Sequence, residues 1–101
     1  IKARDPLRTD ILILIASSAR GVKDYEKAIE ALDAYQEIYD EDPSGHLERG
    51  NLLDAMGLPN DARRSWLRVL QLVDDGPDAV AARTNIERLD VRKTDPKKPK
   101  T

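Results

Sequence analysis

The sequence predicts an all-α protein of about five helices, paired as antiparallel hairpins, and three observations carry that prediction. Apolar residues recur at helical spacing, and no stretch shows the polar–apolar alternation with β-branched enrichment that a strand requires. Proline and glycine divide the chain into segments of helix length. The third observation is an internal match: shifted by 34 residues, Ala28 meets Ala62, Asp40 meets Asp74, Pro43 meets Pro77, Arg49 meets Arg83 and Asn51 meets Asn85. Where identity fails, character persists, as in Ala16 with Gly50, Ile13 with Leu47, Leu32 with Trp66, Tyr35 with Val69 and Val22 with Met56. A gapless run of such matches is an internal repeat.

Each element has its own signals. Asp5-Pro6 offers a cap residue and a ring suited to a first helical turn, so a first helix opens there and stops at Gly21. The second begins near Asp24, and Tyr25, Ala28, Ile29, Leu32, Tyr35 and Tyr39 run down one side of it. Asp42-Pro43 ends that helix and caps a third, which continues to Met56-Gly57. Pro59 opens a fourth that carries Ala62, Trp66, Val69, Leu70 and Val73 inward. Gly76-Pro77 starts a fifth, from Asp78 to about Leu89. Short connections force neighbouring helices antiparallel.

Composition narrows the function. The 101 residues suffice for one domain, and 40% apolar with 36% charged is a foldable mixture. The absence of cysteine excludes thiolate chemistry, and the single His46 excludes a multi-histidine metal site. The longest apolar run, Ile11 to Ala16, is far too short to cross a bilayer, and no signal peptide is evident, so a soluble domain is expected. Opening on Ile1, the sequence is expected to be a piece of a longer protein. Residues 92–101 hold five Lys or Arg against one Asp, a net +4 that leaves −6 on residues 1–91. Such a tail is expected to be disordered, with weak contacts to anionic surfaces at most, while the acidic body repels nucleic acid. Asp40-Glu41-Asp42 and Asp74-Asp75 lack the ligand alternation of a calcium loop. No phosphate loop, nucleophile elbow or catalytic triad is legible, so no enzyme and no cofactor is expected.

Residues 44 to 77 resemble the tetratricopeptide repeat (TPR) family through Gly50, Leu53, Gly57, Ala62, Trp66 and Leu70. Residues 10 to 43 match through Leu12, Ile15, Ala16, Tyr25, Ala28 and Leu32, and 78 to 90 look like the first helix of a third, capping unit. The pattern departs in two places. Pro43 and Pro77 come about three residues late, implying longer second helices, and Arg49 and Arg83 stand where an apolar residue belongs. Their alkyl stems must snorkel, or the helix is rotated.

The resemblance implies a short right-handed solenoid, with a domain over residues 1–91, whose concave face is lined by the first helix of each unit and binds a segment of another protein. Carried onto this sequence, the lining positions form rows: Ile13, Leu47 and Ala81; Ser17, Asn51 and Asn85; Arg20, Asp54 and Arg88; and, at the rim, Asp10, Ser44 and Asp78. Asparagine amides both donate and accept, so Asn51 and Asn85 are candidates to hold a peptide backbone. Arg20 and Arg88 suit carboxylates, with Asp54 between them. Ile13 and Ser17 stand where the family's carboxylate clamp uses Lys and Asn, so chaperone-tail binding is not expected. Trp66 is expected in the core, His46 on the surface, and Tyr35 and Tyr39 with buried rings and outward hydroxyls. The alternative expectation is a structural segment of a longer array, or self-association through the apolar N-terminal hairpin bearing Ile11, Ile13 and Ile15.

Overall fold

The computed structural model describes residues 6–94, with side chains over residues 11–92. Five helices follow one another: α1 (Pro6–Gly21), α2 (Tyr25–Ile38), α3 (Pro43–Ala55), α4 (Pro59–Leu72) and α5 (Pro77–Thr94), with no strand among the described residues. Pro43, Pro59 and Pro77 each occupy the first helical position, where the missing N–H has no helical partner to lose. Asp24 caps α2 by accepting the Lys27 backbone N–H at 3.3 Å. Asp42 stands at the N-cap of α3 without capping, because its carboxylate accepts the Tyr35 hydroxyl instead. The Tyr35 ring is buried as expected, while its hydroxyl is spent on Asp42 within the fold.

Packing follows chain order. α1 pairs with α2, α3 with α4, and α5 lies on α4, while α3 also touches α1, α2 and α5. Among the described residues α2 and α4 do not approach each other. The first helices α1, α3 and α5 thus touch in sequence, with α2 and α4 packed against them, over extents of 52 × 31 × 16 Å. Two cores result. Ala16, Ala19, Ala28, Ala31, Leu32 and Leu52 form the first, and Ala62, Trp66, Val69, Ala82, Ile86 and Leu89 the second. Ala28 and Ala62, which the internal match equates, are both wholly inaccessible to solvent. Small residues there let helix axes approach within contact distance of the opposing ridges.

α1 ends at Gly21, as the sequence reading has it, and Lys23 takes the positive φ of 66° in the turn that follows. The structure departs from that reading at the end of the last helix. α5 runs past Leu89 to Thr94, so residues 92–94 are helix rather than tail. Arg92 is held there by the Asp54 carboxylate at 3.2 Å, and cations favour a helix C-terminus. The remainder of the basic tail, residues 95–101, lies outside the described residues, as does the cap expected of Asp5. No described helix is long and apolar enough to cross a membrane.

Candidate functional site

Helices α3 and α5 lie side by side in the register of the repeat. Ser44 Oγ donates to Asp78 Oδ2 at 2.8 Å, and Asn85 Nδ2 donates to Asn51 Oδ1 at 3.3 Å. Both bonds join residues 34 apart. Two of the expected rows are thereby physical neighbours, tied by their own side chains.

The donor and acceptor roles of these amides follow from chemistry. Trp66 Nε1 is a donor only, and at 3.2 Å it requires the oxygen of Asn51. With Asn51 Oδ1 fixed there, Asn85 must offer its nitrogen, which turns its own oxygen toward Arg88 Nη1, again a donor only, at 3.3 Å. Asn51 Oδ1 thus accepts two bonds and Asn85 Oδ1 one, so what Asn51, Asn85 and Arg88 leave for a visitor is mainly N–H, with one acceptor position on Asn85.

These groups open onto a depression of about 250 Å³ whose walls include Arg20, Asn51, Asp54, Trp66, Asn85 and Arg88, with Arg92 at its edge. The expected row of Arg20, Asp54 and Arg88 is brought to this one site, but its charges pair differently. Arg20 Nε donates to Glu48 Oε2 at 2.7 Å, and its Nη2 to Ser17 Oγ at 3.3 Å. Asp54 is taken by Arg92, not shared between Arg20 and Arg88. The reason is burial. Glu48 is only 7% exposed, so its carboxylate must find a counter-charge, and Arg20 is within reach. Three guanidinium groups then face two carboxylates, and among the described residues Arg88 has no acidic partner. A local positive excess sits on a chain whose net charge is −2.

Other expected positions serve elsewhere. Ile13 packs against the first core and Leu47 against the second, and neither lines the depression. Ala81 is half-buried, Ser44 is spent on Asp78, and the Asp10 side chain lies outside the described residues. Arg49, half-buried, reaches Gln36 Oε1 at 2.6 Å and Asp33 Oδ1 at 2.7 Å on α2, whereas Arg83 is exposed and reaches the Asp74 carbonyl. His46 Nε2 lies 3.0 Å from the Asp40 carbonyl oxygen. Among the described residues no three His, Cys, Asp or Glu side chains gather as a metal site. Glu41 pairs with Arg68, and Arg63 grips Asp90 through two bonds of 3.0 and 3.1 Å, which raises the Arg63 pKa.

Sequence reasoning missed Glu48, Arg92 and the polar role of Trp66. Glu48 had a visible signal, since it falls on the same helical face as Gly45 and Leu52. Arg92 lies one turn beyond Arg88 and was concealed by placing the helix end too early. Comparison with known protein families, with curated proteins and with solved structures finds no match to this chain.

Proposed function

We propose that this chain is a non-catalytic protein–protein interaction module, a short right-handed TPR-like stack whose first helices line a groove for a segment of another protein. The observation that carries the reading is the in-register pairing of α3 and α5 through Asn51–Asn85 and Ser44–Asp78. That pairing supports a repeated stack and places an N–H-rich surface along it. Asn51, Asn85 and Arg88 offer mainly donors, so the ligand class is acceptor-rich: an extended polypeptide presenting main-chain carbonyls and side-chain carboxylates. Catalysis would need a water-excluded cleft with shifted acids or bases, and the groove reading requires neither.

The single tryptophan reports on the site, because Trp66 Nε1 hydrogen-bonds to Asn51 at its floor. Peptides selected from a random display library against the intact chain are expected to shift Trp66 emission on binding. N85A and R88A should each weaken those peptides about tenfold, which is about 1.4 kcal/mol, at unchanged helicity. N51D keeps an oxygen for Trp66 and Asn85 and replaces the amide NH2 with a second, negatively charged oxygen, so it should weaken acidic peptides further. Affinities indifferent to all three substitutions would remove the groove.

A further inference from the structure

Shifted by 34 residues, the α3 face bearing Gly45, Glu48 and Leu52 becomes the α5 face bearing Ala79, Ala82 and Ile86. Each of these six residues is buried. On α3 that face is turned to α2 and α1: a Cβ on Gly45 would lie 3.0 Å from the Tyr35 ring, Glu48 accepts from Arg20 of α1, and Leu52 belongs to the core that α2 builds with α1. On α5 it is turned to α4, with Ala82 and Ile86 in the core of Trp66 and Val69. The same positions on α1 are Ile11, Leu14 and Ser18, and all three are exposed. Ile11 is 47% accessible, Leu14 63% and Val22, one turn further, 76%. Beside them a mainly apolar depression of about 470 Å³ runs between Leu14, Ile15, Ser18, Ala19 and Val22, and is lined as well by the charged Asp24 and Lys27.

The two covered faces say what covers the third. On α3 residue size is complementary: the large Tyr35 ring lies over Gly45, the smallest residue of the series. Charge is complementary as well, since α3 carries Arg49 and its cover α2 carries Asp33 and Gln36. The α1 face has Ile11, the bulkiest residue of the series, and its stripe of Ile11, Leu14, Ile15, Ser18 and Val22 is flanked by Asp24 and Lys27, which line the same depression. We propose that this face docks an amphipathic helix, none of α1 to α5, that carries a small residue opposite Ile11 and apolar residues along its contact stripe. It would lie on α1 as α2 lies on α3. The inference rests on the repeated packing and is independent of what the groove binds.

The probe is a fluorescently labelled peptide with the sequence of residues 22–42 bearing D33A and Y35A, titrated with the intact chain and followed by anisotropy. Saturable binding in the tens of micromolar is expected, with the unsubstituted peptide at least about tenfold weaker because Tyr35 meets Ile11 instead of glycine. L14E, at an exposed position that leaves the fold intact by circular dichroism, should abolish binding, while R88A should leave it unchanged. Absence of saturable binding, equal affinity for the two peptides, or binding that survives L14E would each overturn the proposal. So would sedimentation in which the chain alone forms a dimer that L14E dissolves, since a second copy would then be the occupant.

Discussion

Lys23 has a φ of 66°, in the left-handed region where a Cβ crowds the following carbonyl. Its counterpart 34 residues on is Gly57, at φ 83°. The two turns close identically: Asp24 N–H donates to the Ala19 carbonyl at 2.8 Å, and Leu58 N–H to the Leu53 carbonyl at 2.9 Å. Each is the six-residue closing bond of a helix ended by a left-handed residue. Lysine bears a steric cost there that glycine avoids, partly offset by glycine's greater freedom in the unfolded chain. K23G is expected to stabilise the protein by roughly 0.5–1 kcal/mol, and G57A to destabilise it by about as much, in urea unfolding with unchanged slope. A loss of stability in K23G would contradict the left-handed turn.

At the scale of paired helices, the α3–α4 contact is set by Gly50 under Trp66. A Cβ built on Gly50 falls 2.3 Å from Trp66 Nε1 and 2.4 Å from its Cδ1, far inside any tolerated contact. In the α1–α2 pair the corresponding residues are Ala16 and Leu32, both wholly buried in one core. The repeat conserves combined volume by pairing the larger ring with the smaller partner. G50A should therefore destabilise by about 1–3 kcal/mol, although alanine is the better helix former. Adding W66L should restore much of that loss, because the double variant reproduces the first hairpin's pairing. A double-mutant cycle in thermal unfolding measures it, and strict additivity would refute the size matching.

Across the whole molecule, α3 is the element on which both cores depend. Leu52 belongs to the core with α1 and α2, whereas Leu47 and Leu53 pack against the core with α4 and α5. A linear stack gives such a central helix the most neighbours and the end helices the fewest. Amide exchange is expected to be slowest in α3, near the global unfolding limit, and faster in α1, whose outer face carries exposed Ile11 and Leu14. An α1 protected as strongly as α3 would disprove this gradient.

Helix number, helix starts and the buried small residues were legible because they depend on local signals: prolines at first helical positions, apolar spacing and a self-match at 34 residues. The rows that meet across α3 and α5 followed from the same register, and Asn51–Asn85 and Ser44–Asp78 are found together. Charge pairing was not legible. Arg20 chose Glu48 over Asp54, and Arg92 took Asp54, because a buried carboxylate must be neutralised and burial is a property of the assembled helices. The Tyr35 hydroxyl was likewise spent within the fold once Asp42 was placed to accept it. Sequence alone determined where this chain coils and which of its segments are copies of one another. Only the tertiary structure decided which polar atoms are spent within the fold and which N–H groups remain to face solvent, since hydrogen-bond partners are allotted by distance in space and not along the chain.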